Sequence, residues 1–132
     1  MAKIVKNIYS TKMTEEDIQV RVVNYISLVH PHVLFCASAG GVRTGYKQAV
    51  KMKRTGYKRG FPDLQICEAV GGYHGMYVEL KTEKGIASPE QKEWRDELMK
   101  RGYYSVIVKG LNPCIEIIDQ YLSGKITRQA NH

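Results

Sequence analysis

A chain of 132 residues, 43% of them hydrophobic, can bury a core without cross-links, and its three cysteines are an odd number that intrachain bridges would leave incomplete. No apolar run approaches the roughly 18 residues of a membrane span, and Met1-Ala2-Lys3 leads into no hydrophobic signal core, so the expectation is one soluble cytoplasmic domain over residues 1–132 and no membrane partner. The net charge of +7 is local, because Arg43, Lys47, Lys51, Lys53, Arg54, Lys58 and Arg59 lie in a stretch without an acid and equal the whole excess.

In chain order, residues 1–13 show little periodicity and read as an arm or a short edge segment. Thr14 is a good helix N-cap, followed by Glu15, Glu16 and Asp17 where the helix dipole favours acids. Ile18, Val22, Tyr25, Ile26 and Val29 recur at helical spacing and predict a buried stripe that ends before Pro31. At about 100° per residue, Glu15 falls on the side of that stripe while Glu16 turns away. Residues 33–37 read as a strand, and Ser38-Ala39-Gly40-Gly41 as a loop where backbone could approach a phosphate. Tyr46, Ala49, Val50 and Lys53 fit a short basic helix that stops at Gly56.

Residues 63–70 read as a strand, bounded by Pro62 and by Gly71-Gly72, and residues 71–75 as a hairpin loop. The return strand, 75–81, puts Tyr77, Glu79 and Lys81 on one face and Met76, Val78 and Leu80 on the other. Ser88-Pro89-Glu90-Gln91 has the pattern of a capping box, and the helix it opens buries Trp94 and Leu98 before Gly102. Residues 103–109 are rich in β-formers. Asn112-Pro113 is expected to cap a last helix with Ile117, Ile118, Tyr121 and Leu122 inward, and the polar tail after Gly124 to carry no structure. Cys36, Cys67 and Cys114 each adjoin apolar residues and are expected to be buried free thiols.

The chemistry concentrates between Gly60 and Gln91. An Asp at the head of one strand and Glu-x-Lys inside the next can bring two carboxylates and an ammonium to one end of a hairpin, as metal-assisted phosphodiester hydrolysis requires. Asp63 and Glu79 are the expected ligands of Mg²⁺ or Mn²⁺, with the Leu80 backbone carbonyl as a third, and Glu15 would complete a second metal position or bind a metal-linked water. Lys81 would orient water or stabilise the phosphate, and Gln91 would steady Lys81 or a water. Each residue also has an ordinary explanation: Glu-x-Lys is commonly an exposed ion pair, Gln91 suffices as a cap, and Glu15 as a first-turn acid. His30, His32 and His74 show no metal-ligand spacing. The basic run, Arg43 to Arg59 with Gly40 and Gly41 before it, is the expected nucleic-acid surface.

The joint pattern resembles a known family. Glu15 opening an amphipathic helix, Ala39-Gly40-Gly41-x-Arg43, Gly60-x-Pro62-Asp63-Leu64, Val78-Glu79-x-Lys81, Ser88-Pro89-x-Gln91 and Gly102-Tyr103 are similar, over about residues 13–122, to the VRR-NUC branch of the PD-(D/E)xK nucleases. The resemblance implies a restriction-endonuclease-like α/β core, with a small mixed sheet of a three-strand meander plus a fourth strand after a crossover helix. It further implies dependence on Mg²⁺ or Mn²⁺, DNA as substrate, and Glu15, Asp63, Glu79, Lys81 and Gln91 as catalytic positions. Stand-alone members of this size are typical of phage and bacteria and resemble homodimeric nucleases of branched DNA such as four-way (Holliday) junctions. Ser38-Ala39 departs from the family, where an Asn often precedes the glycine pair. On residues alone, a basic nucleic-acid-binding module without turnover stays open beside the endonuclease.

Overall fold

The structure, a computed structural model, describes residues 12–39 and 45–129. Four helices and four strands follow one another as α1 (Glu15–Val29), β1 (Phe35–Ala37), α2 (Tyr46–Arg54), β2 (Leu64–Ile66), β3 (Met76–Lys81), α3 (Pro89–Lys100), β4 (Tyr104–Lys109) and α4 (Leu111–Leu122). The strands form one sheet in the order β1-β2-β3-β4. The first three pair antiparallel, and β4 joins β3 in parallel through α3, as a helical crossover requires.

The two faces of β3 divide the molecule. Met76, Val78 and Leu80 enter a core with Ile18, Val22 and Ile26 of α1 and Cys114, Ile118 and Tyr121 of α4. On the opposite face Tyr77 meets Phe61 edge-to-face at 5.7 Å, and Phe61 meets Trp94 of α3 at 5.1 Å, so α3 is packed over the side that carries Glu79 and Lys81. All six residues of β3 are buried, which makes it the central strand of the domain.

Several expectations change in detail. Strands β1 and β2 are three residues each, with one further backbone bond at either end, from the Ser38 N–H to the Asp63 carbonyl and from the Cys67 N–H to the Leu34 carbonyl, both at 2.8 Å. Val29 is 48% exposed, so the buried stripe of α1 narrows to Ile18, Val22 and Ile26. Cys36 and Cys67 are exposed and only Cys114 is buried, where burial pushes its thiol up to about 12. Cys36 lies within the edge strand β1, and Cys67 follows β2, the only strand partner of β1 among the described residues. Gly110, not Asn112, precedes α4, and Pro113 sits in the first turn, where a missing N–H costs nothing. The tail is also structured up to residue 129: the Arg128 N–H donates to the Gly71 carbonyl at 2.7 Å. His30, which the sequence left without a role, bonds Asp119 of α4 at 2.8 Å, and Tyr25 donates to the same carboxylate at 2.6 Å, fastening α1 to α4. No described helix is long and apolar enough to cross a membrane.

Candidate active site

Strand register builds the site. Leu64 pairs with Val78 across β2 and β3, so one step further Asp63 stands opposite Glu79. Directly opposed residues project to the same face with Cβ atoms about 4.5–5.5 Å apart, which brings the two carboxylates together. Asp63 lies beyond the last ladder pair, and its Oδ2 accepts the Leu80 N–H at 2.7 Å, replacing the strand partner that Leu80 lacks. Within a strand the N–H and C=O of one residue point to the same neighbour. The Lys81 carbonyl faces β4, accepting from the Gly110 N–H, so the Leu80 carbonyl faces the Asp63 side.

Glu15, the first residue of α1, reaches the end of β3. Its carboxylate lies 3.8 Å from the Lys81 ammonium, which is also 3.7 Å from Glu79. Glu16 is exposed and makes no ion pair among the described residues. One oxygen from each of Glu15, Asp63 and Glu79 can be chosen so that all lie within 4.8 Å of one another. Glu79 and Lys81 are 4% and 8% exposed. Burial, and then the Asp63 carboxylate, push the Glu79 carboxyl up to about 9, against the opposing pull of Lys81. Three crowded carboxyl groups beside one ammonium thus keep a proton on Glu79 that a cation would displace. Hard, converging oxygens are the donor set a divalent cation such as Mg²⁺ or Mn²⁺ takes.

Gln91 serves two purposes at once. Its Oε1 accepts the Ser88 N–H at 2.9 Å and its own N–H donates to Ser88 Oγ at 3.2 Å, the complete capping box of α3. With Oε1 occupied there, Nε2 is left to donate to Glu79 Oε2 at 3.1 Å. The cap of α3 thus holds the buried carboxylate. Gly60 makes the approach possible: with φ of 94°, it lies where a Cβ would come within 2.7 Å of the Glu90 backbone. Gln91→Ala is expected to lower stability by about 1 kcal/mol, the ordinary worth of a cap. Cleavage should fall by a further factor of roughly ten or more through loss of the Glu79 contact, read as kcat/KM beside the melting curve.

These residues line an open cavity of about 280 Å³ that also includes Tyr57, Arg59 and Ile86. A larger cleft, about 510 Å³, runs along α3 past Trp94, but its acids are interleaved with Lys58, Arg59 and Arg101 and none of the three clustered carboxylates enters it. Tyr57 and Ile86 carry no signal in the sequence, since a lone tyrosine in a basic run and a lone isoleucine in a turn have no spacing to read. Of the basic run, Lys47, Lys51 and Arg54 border a shallow cleft along α2, Lys53 lies exposed on that helix, and Lys58 and Arg59 lead into the cavities. No residue of α2 is buried, so the helix offers its cations to solvent. Gly40, Gly41 and Arg43 lie outside the described residues, as does the arm up to residue 11.

Comparison with known proteins agrees with this architecture. The family model described as "VRR-NUC domain" matches residues 5–111. A solved structure described as "VRR_NUC domain protein" is 33% identical, covers 85% of this chain and 90% of its own, and superposes with a TM-score of 0.73. No curated protein matches.

Proposed function

The chain belongs to the VRR-NUC family of restriction-endonuclease-like nucleases, and on that premise we propose that it is an endodeoxyribonuclease dependent on Mg²⁺ or Mn²⁺. The observation that carries the proposal is the meeting of the Glu15, Asp63 and Glu79 oxygens within 4.8 Å beside the Lys81 ammonium. Asp63, Glu79 and the Leu80 carbonyl would hold the cation, with Glu15 completing its surroundings. When bound, the ion supplies Lewis acidity, lowering the pKa of water and offsetting charge on the phosphate.

The protein's own groups do the rest. Lys81, held between Glu15 and Glu79, would stabilise a phosphate oxygen as it gains charge and orient the attacking water. Gln91 keeps the Glu79 carboxylate in its rotamer. Arg59 borders the cavity and receives the phosphate, while the cations of α2 attract the flanking duplex. By the family resemblance, branched DNA such as four-way junctions is the preferred form, cut by a homodimer.

A panel of duplex, flap, splayed and four-way DNA, with a matched RNA strand, each with Mg²⁺, Mn²⁺ or EDTA, tests this reading. Cleavage of DNA with either metal and none with EDTA is expected. Binding without cleavage under every condition would leave only a nucleic-acid-binding module. Sedimentation that finds an active monomer at micromolar concentration removes the dimer. Lys51→Glu combined with Arg54→Glu is expected to weaken DNA binding and to flatten log Kd against log salt by about one to two, since roughly one unit of slope is lost per phosphate contact. The same measurement on a neutral site far from α2 should leave the slope unchanged.

A further inference from the structure

Strand alternation adds one more residue to the row that builds the site. Phe35 of β1 packs against the core, so Cys36 and, one alternation further, Ser38 project to the opposite face, which is the face of Asp63 and Glu79. The last ladder pair of β1 and β2 is Ala37 with Leu64, and the next rung continues it: the Ser38 N–H donates to the Asp63 carbonyl at 2.8 Å. Ser38, Asp63 and Glu79 therefore stand side by side across three strands. Directly opposed residues keep their Cβ atoms about 4.5–5.5 Å apart, which lets a hydroxyl on one reach a carboxylate on the other.

The Ser38 hydroxyl breaks a rule that the rest of the protein keeps. Its Oγ is the only buried side-chain nitrogen or oxygen among the described residues that has no hydrogen-bond partner in the protein. Cys36, its neighbour on the same face, already bonds the Ala37 carbonyl at 3.3 Å. A buried hydroxyl left unpaired is unfavourable, and native proteins keep few such groups. They break the rule mainly at functional sites. The Asp63 carboxylate beside it has acceptor capacity to spare. Its two oxygens offer about four acceptor positions, and the Leu80 N–H fills one of them, at Oδ2, over 2.7 Å. Rotation about the serine Cα–Cβ bond carries Oγ between staggered positions with the backbone fixed.

We infer that Ser38 is a positioning residue of the metal site, whose hydroxyl donates to the Asp63 carboxylate when that carboxylate holds a cation. The inference rests on the metal-dependent reading of the Glu15, Asp63 and Glu79 cluster and adds to it a residue of the edge strand that does not line the cavity. Ser38 touches neither ion nor phosphate and acts through Asp63 alone. The Leu80 N–H holds the carboxylate from β3 and the Ser38 hydroxyl holds it from β1, which leaves it one orientation. Outer hydrogen bonds of this kind to a ligating carboxylate are worth roughly 10- to 100-fold in metal affinity.

The test compares the full chain with Ser38→Ala and Ser38→Thr in three measurements: melting in EDTA, the calorimetric Kd for Mn²⁺, and DNA cleavage across a Mn²⁺ series. Ser38→Ala removes a hydroxyl that bonds nothing in the metal-free protein, so it is expected to melt at or above the parental Tm in EDTA. Its Kd for Mn²⁺ should weaken by about tenfold or more. Its deficit in kcat/KM at low Mn²⁺ should shrink as Mn²⁺ is raised past the new Kd. Ser38→Thr keeps the hydroxyl and should bind Mn²⁺ like the parent. A role confined to the fold gives the opposite pattern, a lower Tm in EDTA with unchanged Mn²⁺ affinity, and overturns the inference. So does a Ser38→Ala variant that matches the parent in all three measurements. Parental protein that takes up no Mn²⁺ fails the metal reading itself, and the inference with it. Parental Mn²⁺ binding that is lost in Asp63→Asn but unchanged in Ser38→Ala fails the positioning role alone.

Discussion

Asp63→Asn is expected to lower metal-dependent cleavage by about a thousandfold or more, equivalent to about 4 kcal/mol of transition-state stabilisation, while leaving the fold intact. The asparagine carbonyl oxygen can still accept the Leu80 N–H that Asp63 holds at 2.7 Å, so the end of β3 keeps its partner. What disappears is one of the three charged oxygens that converge within 4.8 Å. Asp63→Ala separates the two roles. It removes the ligand and also leaves the Leu80 N–H without its acceptor, and should lose about 1–3 kcal/mol of stability besides activity. The checks are cleavage in Mn²⁺ and the rise in Tm on adding metal: Asp63→Asn should melt like the parent in EDTA and gain little from Mn²⁺. Cleavage by Asp63→Asn at the parental rate would remove the carboxylate cluster from the mechanism.

The second large effect is on pH. The Glu79 carboxyl, raised from an ordinary 4.5 to about 9 by burial and then by Asp63, keeps its proton in the folded metal-free protein across a range where the unfolded chain has lost it. The folded state binds the extra proton, so this group's stabilising contribution is complete below pH 4.5 and is lost as pH climbs to about 9. Glu79→Gln carries no such proton, so subtracting its stability-against-pH curve from the parent's, both in EDTA, should leave a difference that declines over that window. Metal binding reverses the slope for the parent. A cation displaces the proton from Glu79, so apparent affinity should rise by about tenfold per pH unit across the neutral range, as read by calorimetry in two buffers of different ionisation enthalpy. A pH-independent affinity with no proton release would show that Glu79 does not hold the ion.

Much of this site is legible in the amino-acid sequence. Glu79 and Lys81 share a face because strand alternation is a local rule, and the Ser88–Gln91 box is fixed by four consecutive residues. The helical phase that separates Glu15 from Glu16 is equally local. The failures have the opposite character. Whether Cys36 and Cys67 are covered depends on what packs beside a sheet edge, and the exposure of Val29 on which elements reach α1. The fastening of the tail to Gly71 joins segments more than fifty residues apart. His30 had no motif because its partner, Asp119, lies 89 residues away.

The elements, the parity of Glu79 and Lys81, the position of the basic run and the family pattern are legible in the amino-acid order, because each follows from spacing within a few residues. Folding adds that Asp63 stands opposite Glu79, that Glu15 meets both beside Lys81, that the Glu79 carboxyl is raised, and that Tyr57 and Ile86 border the same cavity. Those facts depend on strand register and on burial, which are set by contacts between distant segments.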